Sequence, residues 1–287
     1  MPFELHNGHV YVRVRADSAP PAWFILDTGA STTLDSAFAA SLGRGVAAHT
    51  ERGGGGGEGS VQVRFVEGVT LALADSGAGA ARVPAQRIAT VSLAAISRAE
   101  GRPVAGILGG SFFSRHGVVI DYARLRLTVH PTRTFRPPAE WTAIPLQREE
   151  DLVFARAAVT LRAGARPLTG WYEVDTGGGH ALILNAPFAA RHGLGAAGAG
   201  SSGAMLSIGG GATAVRGQVE AFTLGSSSLA AVPALFSQAT GGLFASGDFD
   251  GSIGGALLSR FPTVAFDYAA KRMWLAPLPP ASGAARP

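Results

Sequence analysis

The triplet Asp-Thr-Gly stands twice in this chain, at Asp27-Thr28-Gly29 and at Asp175-Thr176-Gly177. An apolar run led by Trp precedes each copy: Trp23-Phe24-Ile25-Leu26 before the first, Trp171-Tyr172-Glu173-Val174 before the second. Asp and Gly are common turn residues, so one triplet alone would read as a turn with a capping Asp. Two triplets in matching surroundings read as two copies of one unit, each offering a carboxylate. Brought together, two carboxylates can share a proton and activate a water molecule.

The match extends beyond the triplets. Gly106-Ile107-Leu108-Gly109-Gly110-Ser111-Phe112-Phe113-Ser114-Arg115 follows the first, and Gly251-Ser252-Ile253-Gly254-Gly255-Ala256-Leu257-Leu258-Ser259-Arg260 follows the second. An apolar strand and an Asp-Tyr turn come next in both halves, ending at Asp121-Tyr122 and Asp267-Tyr268. The offset is 148 at the triplets (175 − 27), 145 at the glycine motif (254 − 109) and 146 at the turns (267 − 121). Phe38-Ala39-Ala40 and Phe188-Ala189-Ala190 make a third matched pair. A solenoid needs at least three stacked units; two copies predict a bilobal protein with a pseudo-two-fold axis.

The elements that must carry these loops are mostly strands. Val10-Tyr11-Val12-Arg13-Val14-Arg15, Val61-Gln62-Val63-Arg64-Phe65 and Leu125-Arg126-Leu127-Thr128-Val129 alternate as half-buried strands do. Residues 152–156 and 215–224 supply the same signal in the second half. Short helices are expected at 36–42 and 186–192, each stopped by a glycine, Gly43 or Gly193. The predicted fold is mainly β: two similar lobes, each a small closed or nearly closed barrel. A first lobe over 1–136 carries the first triplet and a second over 137–276 carries the second. The proline-bearing stretch 131–145 is the expected crossing, pinned by Trp141 and Ile144. Residues 277–287, small and Pro-rich, read as a disordered tail.

Composition narrows the function classes. At 287 residues with 47% hydrophobic and 15% charged residues, a folded globular protein is expected. There is no cysteine, so disulfide and thiolate chemistry are excluded. The net charge of +4 comes from scattered arginines, with Lys271 the sole lysine, and does not read as a nucleic-acid surface. No apolar run reaches membrane-span length, and the first residues lack the pattern of a signal peptide. Isolated His116 and His180 form no metal-ligand cluster, so no metal is expected. The glycine runs lack the Lys-Ser/Thr of a phosphate loop, and no cofactor is called for.

Asp-Thr-Gly after an apolar strand, followed about eighty residues on by an apolar-Gly motif, resembles the aspartic peptidases. Present twice in one chain, it is most similar to bacterial retropepsin-like members with two fused lobes. The resemblance implies an aspartic endopeptidase acting on a peptide or protein substrate with Asp27 and Asp175 as its catalytic pair. The alternative is a catalytically silent peptide-binding protein on the same fold. It further implies that Thr28 and Thr176 brace the loops across the pseudo-two-fold and that Gly29 and Gly177 allow close approach. No cofactor and no dimerisation would be required, and periplasmic or secreted residence is the family's habit. Ile25 and Glu173, two residues before each Asp, would border substrate subsites, as would Ala30 and Gly178. Neither Ala30 nor Gly178 offers the hydroxyl that pepsin-type enzymes place there; Ser31 is the nearest substitute. No Tyr falls in a flap-like segment. The expected flaps are the glycine run 53–59, with Gly56 and Gly57 near substrate, and either 198–203 or Gly209-Gly210-Gly211. Glu173 is expected to favour basic or polar substrate side chains or to raise a dyad pKa by like-charge repulsion; the alternative is that it pairs with an arginine and touches no substrate.

Overall fold

A computed structural model describes residues 1–45, 50–75, 81–195 and 201–279. Residues 198–200 of the second glycine run and 280–287 of the tail lie outside them. The protein is mainly β and two-lobed. In the first lobe the strands are β1 (Glu4–His6), β2 (His9–Ala16), β3 (Ala22–Leu26), β4 (Thr33–Asp35), β5 (Glu51–Gly53), β6 (Val61–Leu73), β7 (Arg82–Val91) and β8 (Gly106–Leu108). They form one sheet in the order β1-β2-β3-β8-β4-β7-β6-β5, and β2 also pairs with β6, which closes a six-stranded barrel. The alternation in β2 explains its place there. Val10, Val12 and Val14 enter the main core, while Tyr11 points the other way into a smaller cluster with Ile25, Leu93 and Ile107. Each such fully buried aliphatic side chain contributes roughly 1.5–3 kcal/mol.

Strands β9 (His116–Asp121) and β10 (Arg126–Pro131) leave that barrel. The second lobe follows with β11 (Thr142–Glu149), β12 (Leu152–Thr160), β13 (Leu168–Asp175), β14 (Leu182–Leu184), β15 (Ser202–Ser207), β16 (Gly210–Leu224), β17 (Ser227–Ser237) and β18 (Gly251–Gly254). It closes in the same way, with β12 paired to both β13 and β16. β19 (Thr263–Asp267) and β20 (Arg272–Leu275) complete the order, so each strand of the first half has a counterpart ten strands later. β9 and β19 pair antiparallel, Val119 against Ala265, and tie the halves into the common sheet β10-β9-β19-β20-β11.

The two expected helices form as α1 (Ser36–Ser41) and α4 (Ala186–Arg191). Asp35 caps α1 through the amides of Ala37 and Phe38, and Gly43 and Gly193 follow the helices at φ of 67° and 64°. Three further helices were not signalled: α2 (Ala94–Glu100), α3 (Gly110–Phe113) and α5 (Gly255–Leu258). Leu125 is not in a strand; it turns at φ 52° before β10. Pro145 lies within β11, where that strand changes partner from β20 to β12, so its missing donor falls at a corner of the sheet.

Candidate active site

Strand β3 delivers Asp27 and strand β13 delivers Asp175, each beside a parallel partner from the glycine motif. Leu26 is opposite Leu108, and Asp175 is opposite Gly254. The motif helices hold the loops from below: Gly110 N–H donates to the Ala30 carbonyl at 2.9 Å and Gly255 N–H to the Gly178 carbonyl at 2.7 Å. Ala30 and Gly178 thus serve the loops through their backbone oxygens, whatever their side chains lack.

The loops meet across the pseudo-two-fold axis. Thr28 Oγ1 donates to the Val174 carbonyl at 2.6 Å and Thr176 Oγ1 to the Leu26 carbonyl at 2.9 Å. Each threonine amide in turn donates to the other's hydroxyl at 3.0 Å. All four groups are buried, so losing any leaves an unsatisfied partner at about 1–3 kcal/mol. The glycines are required by contact. A Cβ at Gly29 would lie 2.9 Å from Asp175 Cγ, and one at Gly177 would lie 2.1 Å from Asp27 Cγ. Gly29 N–H donates to Asp27 Oδ1 at 2.7 Å and Gly177 N–H to Asp175 Oδ1 at 2.9 Å. Tyr268 OH donates to the Thr28 carbonyl at 3.1 Å, so the second Asp-Tyr turn supports the first loop.

Burial pushes both aspartates above the ordinary carboxylate range. Asp175 rises further, because Asp27 and Glu173 both add negative charge beside it and its carboxyl hydrogen-bonds to Asp27. For Asp27 that same bond and the amides of Gly29 and Gly177 oppose the effect of burial. Glu173 is buried, pushed up to about 8 by desolvation, with the Ser252 hydroxyl opposing and Asp27 adding to the rise. No arginine pairs with it among the described residues. His180 Nε2 lies 3.1 Å from Ser252 Oγ, and burial lowers that imidazole to about 4.

A cleft of about 1020 Å³ lies over the two aspartates. Ile25, Ala30, Ser31, Glu173, Gly178 and Gly56 line it. Its roof is made by two hairpins, β5–β6 from one lobe and β15–β16 from the other. Gly57 N–H donates to the Ile208 carbonyl at 3.2 Å and Gly59 N–H to the Gly209 carbonyl at 2.8 Å. Gly56 N–H donates to Ser207 Oγ at 3.1 Å. Of the expected flap segments, 53–59 and 209–211 therefore meet tip to tip, with the amides of Gly56 and Gly57 bonded to the opposite hairpin. Residues 201–203 run into β15 at the side. Among the described residues, no group of three or more His, Cys, Asp or Glu could hold a metal ion, and no helix is long and apolar enough to cross a membrane.

Residues 11–112, which include the first loop and its glycine motif, match the family model described as "Aspartyl protease". That match spans 102 of the 287 residues (112 − 11 + 1) and lies wholly in the first half. No curated protein matches the chain. Among solved structures it is similar to a retropepsin-like aspartic protease from Rickettsia conorii, at 17% identity and a TM-score of 0.36, covering 50% of this chain and 96% of that one.

Several residues at this cleft escaped sequence reasoning. His9 of β2 reaches across the lobes, its Nδ1 3.0 Å from the Gly177 carbonyl, and its Nε2 lies 3.3 Å from Glu100 Oε1. Tyr11 OH donates to Glu100 at 3.0 Å. Glu100 is placed by α2, a helix with no apolar periodicity to announce it. Asp151, in the β11–β12 turn, packs against Gly110 of the opposite lobe. Ser252 did carry a signal: it stands where the first glycine motif has Ile107. His180 likewise stands five residues after its Asp, where the first half has Thr32.

Proposed function

We propose that the protein is an aspartic endopeptidase that hydrolyses an extended peptide with a water activated by Asp27 and Asp175. The observation that carries this reading is the pair of Asp-Thr-Gly loops locked face to face through Thr28 and Thr176, each glycine against the other loop's carboxylate. Such a pair holds one proton over a wide pH range, because two adjacent buried carboxyls do not both ionise easily.

The neighbours assign the proton. Asp175 has Glu173 beside it and is the more basic carboxyl; Asp27 has apolar Ile25 at the corresponding strand position and is the ionised one. Asp27 takes a proton from water as the water oxygen bonds to the scissile carbonyl carbon. Asp175 gives its proton to the carbonyl oxygen, and a neutral tetrahedral diol forms. Asp27 then passes its proton to the amide nitrogen while a diol hydroxyl returns one to Asp175, and the C–N bond breaks. Both carboxyls end as they began. The roofed cleft between lobes suits cleavage within a chain, since a bound peptide can continue past the reacting bond on both sides.

The test is digestion of a peptide library between pH 3 and 8 by the wild type, Asp27→Asn and Asp175→Asn. Each variant is expected to lose at least about a thousandfold in kcat/KM while melting like the wild type. Equal cleavage by all three would exclude the dyad. Peptide binding without cleavage by the wild type would instead favour a silent binding protein.

A further inference from the structure

The two halves differ at the strand positions beside the catalytic loops. In the first lobe Ile25 on β3 is opposite Ile107 on β8, and both belong to an apolar cluster. At the corresponding places in the second lobe Glu173 on β13 is opposite Ser252 on β18, with His180 joined to Ser252. A wholly apolar wall in one lobe is thus a buried polar wall in the other.

That polar wall is incomplete. Glu173 borders the cleft, yet its Oε2 is buried without a hydrogen-bond partner among the described residues. A buried carboxyl oxygen left unsatisfied carries a cost that a ligand donor would remove. The neighbouring groups do not supply a cation: Asp27 and Asp175 are acidic, Ser252 is neutral, and burial keeps His180 uncharged at neutral pH.

The wider cleft has the same polarity. Besides the dyad and Glu173, its lining includes Glu51, Glu100, Glu150 and Asp151, and no Lys or Arg is found among the described lining residues. This contrasts with the whole chain, whose net charge is +4. Glu51 and Asp151 have arginine partners, Arg87 and Arg148, and Glu100 is held by His9 and Tyr11. Glu173 alone of these is both buried and short of a partner.

We propose that Glu173, backed by Ser252 and His180, forms the floor of a substrate subsite that selects a cationic side chain, lysine or arginine, beside Asp175, while the Ile25–Ile107 side takes an apolar one. The acidic lining draws a basic peptide into the cleft, and Glu173, protonated at neutral pH in the free protein, releases its proton to solvent as it forms a charge-assisted hydrogen bond with the ammonium or guanidinium group. This inference rests on the peptidase reading for its cleavage readout, but binding tests it separately.

Two experiments decide it. The first profiles library cleavage by the wild type, Glu173→Gln and Glu173→Ile, the last copying the residue of the other lobe. The wild type is expected to prefer Lys or Arg over norleucine at one position by at least about tenfold, and both variants to lose that preference. The second measures, in Asp27→Asn with and without Glu173→Ile, the affinity of matched peptides bearing Lys or norleucine at that position. It needs no catalysis, so it still answers if the wild type cleaves nothing. The same tenfold preference should vanish with Glu173→Ile; if that variant does not fold, Glu173→Gln in the same background replaces it. A basic preference unchanged by the variants, or no basic preference in either assay, would overturn the subsite while leaving the dyad untouched.

Discussion

Glu173 and Ile25 hold corresponding positions two residues before the paired aspartates, but only Glu173 brings a third carboxyl into the buried site. Its ionisation has a consequence for stability. Burial raises the group to about 8 in the folded protein, from an ordinary value of 4.5 when unfolded. Between those values the folded state holds a proton that the unfolded state has released. Stability is therefore full below about pH 4.5, falls as pH rises toward 8, and loses nothing more from this group beyond. Asp27 and Asp175, also raised, act in the same direction. Denaturant midpoints measured from pH 4 to pH 9 should decline through this window, and Glu173→Gln should flatten the decline; an identical slope in the variant would contradict the buried, protonated Glu173. The sequence showed that this side chain shares a face with Asp175, because strand alternation is local. It did not show that no arginine would reach it, since that depends on every element packed nearby.

At the scale of elements, the two roofing hairpins are built so that glycines meet glycines. A Cβ on Gly57 would sit 2.6 Å from the backbone of Gly209 and Gly210, atoms that cannot yield as a flexible side chain would. Gly57→Val should thus keep the tips from closing as seen here. Its kcat/KM should fall by about tenfold or more with the melting temperature nearly unchanged, because the tips contribute little core. A drop in stability matching the drop in activity would point to a structural role instead. The run of glycines at 53–59 was legible as a hairpin tip from composition. Its partner was not, because tip-to-tip contact arises only after both barrels have closed and faced each other. Helix α2 was missed for a related reason: none of its residues is buried, so it lacks the periodic stripe that betrays a helix.

At the scale of the molecule, the lobes are not independent. β9 and β10 from the first half add to β19, β20 and β11 of the second, and the threonine brace and the hairpin tips join the halves twice more. Breaking one lobe would expose the edge of this common sheet and strand buried donors at the loops. Calorimetry should accordingly record one cooperative transition, with calorimetric and van't Hoff enthalpies equal. Two resolved transitions would mean that these joints are too weak to couple the lobes.

The sequence by itself determined the two carboxylates, their threonine and glycine supports, the mainly β character and the two-lobed plan. Those features are written in short motifs, a stable repeat offset and local alternation, all of which survive without knowing which strands touch. Tertiary structure alone decided that Ser252 stands beside Glu173, 79 residues earlier (252 − 173), that His9 touches the opposite Asp-Thr-Gly loop, and that the hairpins meet. Each of these depends on pairing and packing between distant segments, and the asymmetry between two otherwise matching halves lies in those contacts.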